Sequence, residues 1–65
     1  MPEIVIFLAE GRTSEVKRAL MKDITDAVVR NTGASEEAVT VSIMETPRAN
    51  KMKGGVPFTE RPAPK

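Results

Sequence analysis

The chain has 65 residues, 10 basic against 9 acidic for a net charge of +1, and neither Cys nor His. That excludes disulfides, most zinc sites and every catalytic arrangement built on Cys or His. The even charge and the lack of Tyr and Trp argue against a nucleic-acid partner, and no apolar run approaches the roughly 20 residues that span a bilayer.

No Asp/Glu-rich loop of the calcium-binding kind is visible, so no metal site is expected. The N-terminus lacks the basic region of a signal peptide, and the cytoplasm is the default location. A single domain over 1–65 is expected, with 59–65 as a C-terminal arm. A chain this short is marginal alone. Without a disulfide or metal as a staple, oligomerisation is the remaining one.

Pro2 to Leu8 reads as a strand, with β-branched and apolar residues pointing to both faces. Ile4, Ile6 and Leu8 lie on one side, Val5 and Phe7 on the other. Ala9-Glu10-Gly11-Arg12 is a glycine turn. Thr13 or Ser14 can cap a helix from about Ser14 to Asn31, and Glu15 suits its first turn. Val16, Leu20, Ile24, Ala27 and Val28 recur at helical spacing, with Ala19 beside them, while Lys17, Arg18, Lys22, Asp23, Asp26 and Arg30 mark the wetter side. Gly33 is a natural stop, and Ser35-Glu36-Glu37 can add one more turn.

Val39 to Met44 alternates as a second strand, with Val39, Val41 and Ile43 on one side and Thr40, Ser42 and Met44 on the other. Pro47 ends it. Gly54-Gly55 is a turn signal, and Val56-Pro57-Phe58 suits a short edge strand or hairpin arm. Strand, helix, strand predicts a βαβ unit with parallel strands and a right-handed crossover. One helix covers one face of such a sheet. The other face and the open edges call for further copies of the chain.

Pro2 carries the chemistry. Once Met1 is removed, its ring nitrogen is a secondary amine that takes or gives a proton. With Met1 attached it is a tertiary amide with no basic lone pair and no hydrogen.

Pro2, the strand, Glu10-Gly11-Arg12, the amphipathic helix, the second strand and Gly54-Gly55 together resemble the 4-oxalocrotonate tautomerase family over nearly the whole chain. The resemblance implies an α+β fold: a β-α-β unit with a C-terminal hairpin, paired into dimers with a four-stranded sheet and built up into hexamers as trimers of dimers. It implies a cofactor-independent isomerase acting on small unsaturated enol or keto acids. Pro2 would be the general acid/base, and Arg12 would bind a substrate carboxylate in a site shared between subunits. Thr40 stands where such proteins carry a second arginine, and Lys51 falls at or near their pocket aromatic. Both are carried as substrate-binding positions, beside plainer readings as a β-former on a strand face and an exposed loop charge. The missing cation implies a substrate smaller or less acidic than a dicarboxylate, unless Arg48, Lys51 or Lys53 replaces it. Phe58 is expected at a subunit interface, or else in place of the aromatic. Two alternatives stand beside this one. A dehalogenase- or decarboxylase-like member would need Glu10 or Glu45 turned inward for any hydration step, and a non-catalytic subunit would serve a mixed oligomer.

Overall fold

The computed structural model describes residues 1–62. Strand β1 spans Glu3–Ala9 and helix α1 spans Ser14–Thr32. A 3-10 turn at Glu36–Ala38 leads into β2, Thr40–Thr46. A second 3-10 turn, Arg48–Asn50, precedes a hairpin of β3, Met52–Lys53, and β4, Val56–Pro57, and a third follows at Phe58–Glu60. The expected arm is described only to residue 62; its last three residues lie outside the described residues.

Strands β1 and β2 pair in parallel, with Glu3 opposite Thr40, Ile6 opposite Ile43 and Ala9 opposite Thr46. This is the expected β-α-β unit with parallel strands. The second strand runs two residues past its predicted end because β1 continues to Ala9 and supplies ladder partners for Glu45 and Thr46. Thr46 also accepts a bond from the Glu10 N–H at 2.9 Å. Pro47 has no N–H to extend the ladder. Gly54 and Gly55 hold φ of 60° and 81°, the pair of positive values that a tight two-residue hairpin turn needs.

The helix begins where Thr13, extended at φ −72° and ψ 161°, accepts the Val16 N–H on its side-chain oxygen at 3.2 Å. It ends at Gly33, left-handed at φ 77°, whose N–H donates to Val29 O at 3.0 Å. Thr13→Ala removes the partner of one orphan N–H, and the expected cost is about 1 kcal/mol. A denaturant midpoint that does not move would count against this cap.

The face turned to the sheet differs from the expected stripe. Leu20, Ile24, Ala27 and Val28 are half-buried as predicted, and Met21 and Val29 join them, but Val16 and Ala19 are exposed. Lys17, expected on the wet side, is half-buried and pairs with Glu45 at 2.8 Å. Its aliphatic stem covers apolar surface while its ammonium reaches a carboxylate on the helix-facing side of β2. Farther along α1, the Lys22 ammonium is raised above its ordinary pKa, chiefly by its hydrogen bond to Asp26 at 3.0 Å, then by the charges of Asp26 and Glu36. These groups are solvated and screened, so the pairs do little for stability.

Among the described residues none is fully buried. Ile4, Ile6 and Leu8 lie half-buried under the helix, while Val5, Phe7 and Met44 on the opposite face are 47%, 72% and 54% exposed. The Cα radius of gyration is 14.4 Å, with extents of 42 × 22 × 15 Å. A compact chain of this length has a radius of roughly 11 Å. The chain is thus less compact than a closed core of its length, and one sheet face is open and apolar. No helix among the described residues is long and apolar enough to cross a membrane.

Candidate active site

The four candidate positions fall into two groups at opposite ends of β1. At its start, Pro2 is half-buried, and its carbonyl accepts the Thr40 N–H at 3.0 Å. Parallel pairing with this register brings the starts of both strands together, so Thr40 is a neighbour of Pro2. It sits on the sheet face that the helix leaves open, in register with Glu3. The backbone bond fixes the proline ring at the sheet's end. Met1 is 96% exposed, and with it attached the Pro2 nitrogen is an amide.

At the far end, Arg12 follows the turn after β1 and donates from Nη1 to Ala9 O at 3.3 Å. It lines a cavity of about 220 Å³ with Ala9, Arg48, Phe58, Arg61 and Pro62. Lys51 does not line this cavity. Its Nζ lies 5.7 Å from the centroid of the Phe58 ring, within cation–π reach. The seven residues of β1 separate the two groups by roughly 23 Å. One protomer therefore does not bring Pro2 to Arg12.

Phe58 lies on the cavity wall and thus supplies an aromatic surface there, whereas Lys51 stands beside it. Arg48, one of the loop cations considered from sequence, reaches the cavity but is engaged. Its Nη2 donates to the carbonyls of Phe58, Arg61 and Pro62. Lys53 is exposed and contributes its carbonyl to Arg61 at 3.1 Å. Arg61 was missed by sequence reasoning. It sits in a Pro-containing arm with no periodicity, and its direction is set by contacts to residues 48, 53 and 58. No local signal marks it.

Two other features bear on the chemistry. A larger cavity of about 350 Å³ lies along β2 beside α1, lined by Ser14, Lys17, Met21, Val41, Ser42, Ile43 and Glu45, and it contains none of the four candidates. Glu45, considered as a water-activating carboxylate, is paired with Lys17 on the helix side. Glu10 is exposed. Among the described residues no group of three or more His, Cys, Asp or Glu is placed to hold a metal. The cavity at Arg12 is walled by guanidinium groups and a phenyl ring. Guanidinium groups have the charge and planar donor geometry that suit a carboxylate.

The family model described as a tautomerase enzyme matches residues 2–61. The chain is 52% identical over 63 residues to a probable tautomerase of Bradyrhizobium diazoefficiens, covering 97% of this chain and 94% of that one. Its fold is similar to that of a 4-oxalocrotonate tautomerase isozyme of Methylibium petroleiphilum, with a TM-score of 0.84 and 41% identity over 89% of this chain and 94% of that one. It is also similar to a heterohexamer 4-oxalocrotonate tautomerase of Chloroflexus aurantiacus, with a TM-score of 0.86 and 26% identity over 95% of this chain and all of that one.

Proposed function

The chain belongs to the tautomerase family, whose members are isomerases, and we propose that it moves a proton within small unsaturated enol and keto acids, with Pro2 as the acid/base and Arg12 as the carboxylate anchor. The observation that carries this reading is the cavity at Arg12, lined by guanidinium groups and Phe58 and, among the described residues, by no carboxylate.

The reaction needs one group that accepts a proton and returns it elsewhere. The Pro2 nitrogen, freed of Met1, takes the proton from the enol oxygen, and the electron pair moves through the conjugated chain to a carbon. The protonated amine then delivers its proton to that carbon. Atoms and electrons balance without a cofactor. A free α-amino group ordinarily titrates at about 8, closer to neutrality than any Lys. Such a base works at physiological pH. Arg12 holds the carboxylate by a planar two-point grip, and its charge favours the enolate oxygen as it forms.

Because β1 separates Pro2 from Arg12, the working site takes its proline from one protomer and its arginine from another. The open apolar face of Val5, Phe7 and Met44 supports such pairing, and the related Chloroflexus protein is a heterohexamer.

The test is an ultraviolet assay with 2-hydroxymuconate and shorter enol acids, using protein whose intact mass shows that Met1 is gone. Turnover of at least one of these acids is expected, and none on any of them overturns the reading. Arg12→Ala should reduce kcat/KM about 10- to 100-fold, mostly through KM. A hydrogen-bonded charge contact is worth about 1.5–3 kcal/mol. An unchanged KM would remove Arg12 from the site.

A further inference from the structure

Three guanidinium groups line one cavity of about 220 Å³. Among the described residues every ion pair is made by Lys17 or Lys22, so Arg12, Arg48 and Arg61 have no carboxylate partner. Gathering three like charges costs Coulomb energy, which a bound anion offsets.

The three arginines are not equivalent. Arg48 is committed to the backbone. It donates to the Phe58 carbonyl, to Arg61 O at 2.6 Å and to Pro62 O at 3.4 Å, which ties the segment after the hairpin onto the turn after β2. Arg61 gives one bond, to Lys53 O at 3.1 Å, and its Cζ lies 5.6 Å from the Phe58 centroid. Arg12 likewise gives one bond, to Ala9 O at 3.3 Å. A guanidinium carries five N–H donors. Among the described residues Arg12 and Arg61 therefore keep most of theirs for a ligand, on the wall of the cavity that Phe58 also lines.

The second strand offers no cation at this end or the other, since position 40 is a threonine beside Pro2. We propose that Arg61 is a second substrate-binding cation of the site, delivered by the C-terminal segment, and that Arg48 is the positioning residue that holds it there. The identity of the ligand as an organic acid rests on the tautomerase reading; the role of Arg61 does not depend on Pro2. Arg12 grips one carboxylate, the flat carbon chain lies against Phe58, and Arg61 meets a second anionic group. The cation missing from position 40 is thereby restored from another part of the chain.

Fumarate and crotonate share a four-carbon trans skeleton and carry two carboxylates and one. Neither has the enol or keto group that the reaction uses, so calorimetry on the assembled protein reads binding without turnover. The unsubstituted protein should bind fumarate more tightly than crotonate. Arg61→Ala should weaken fumarate at least tenfold and crotonate less than twofold, and Arg61→Lys should recover part of the loss. Arg48→Ala should also weaken fumarate, with the far-ultraviolet circular dichroism unchanged. The proposal is overturned if the unsubstituted protein does not prefer fumarate, if Arg61→Ala leaves fumarate affinity unchanged, or if it weakens both acids equally. Loss of the tautomerase reading would show instead as an absence of turnover on every enol acid.

Discussion

Protein that retains Met1 should turn over enol acids roughly 10²–10⁴-fold more slowly than the same protein beginning at Pro2, the range that a positioned acid/base contributes. The two forms differ by one residue at a site that is 96% exposed in the protomer. The Pro2 carbonyl keeps its bond from Thr40 N–H in both, so the strand start is held the same way. What changes is the nitrogen, from a tertiary amide without a basic lone pair to a secondary amine. Pro2→Ala should fall between these limits. It keeps an α-amino group of similar basicity but loses the ring that directs it. Intact mass and rate measured on separated forms decide the matter. Equal turnover in both forms would sink Pro2 as the base.

The second large effect concerns assembly. Phe7→Glu should leave the protein unable to assemble and largely unfolded at micromolar concentration. Phe7 is 72% exposed, beside Val5 at 47% and Met44 at 54%, on the sheet face with no helix over it. Burying each such side chain against another copy stabilises by about 1.5–3 kcal/mol. A glutamate there must instead be desolvated or left at the seam, at a cost of several kcal/mol. With no fully buried residue among those described, the protomer has no separate core to fall back on. Sedimentation velocity should show loss of the native oligomer, and far-ultraviolet circular dichroism should show loss of helix. The unsubstituted protein should also melt at a higher temperature as its concentration rises. A Phe7→Glu protein with native mass and native helicity would refute the argument.

Much of the fold was legible because its signals are local. Thr13 and Gly33 bound the helix by side-chain acceptance and by left-handed backbone, both properties of single residues. The paired glycines set the hairpin turn in the same way. The helix face was less legible. Val16 fits the apolar spacing and Lys17 does not, yet Lys17 is the one turned inward, because Glu45 on β2 gives its charge a partner. Spacing along one element does not report charges on the next. The site divided along the same line. Pro2 and Arg12 were candidates because of the resemblance, whereas the residues that line the cavity with Arg12 were only partly legible. Phe58, expected at an interface or else in place of the aromatic, lies on the cavity wall, and Arg61 beside it carries no local signal in the sequence.

By itself the sequence determined the main strands and helix, their order and a sheet face with no helix to cover it. An apolar strand with two sides and a single helix to cover one of them leaves a face that water disfavours, whatever the details of packing. It also limited the available chemistry, since a chain without Cys or His has no thiol or imidazole to act near neutral pH. Only the tertiary structure decided which residues meet. The parallel register places Thr40 beside Pro2, and the extended β1 holds Arg12 some 23 Å away. Arg48 then folds the chain back by bonding carbonyls 10 to 14 residues further on, which carries Phe58 and Arg61 to Arg12. Those bonds join residues far apart in the chain, and their energy depends on geometry that no local pattern encodes.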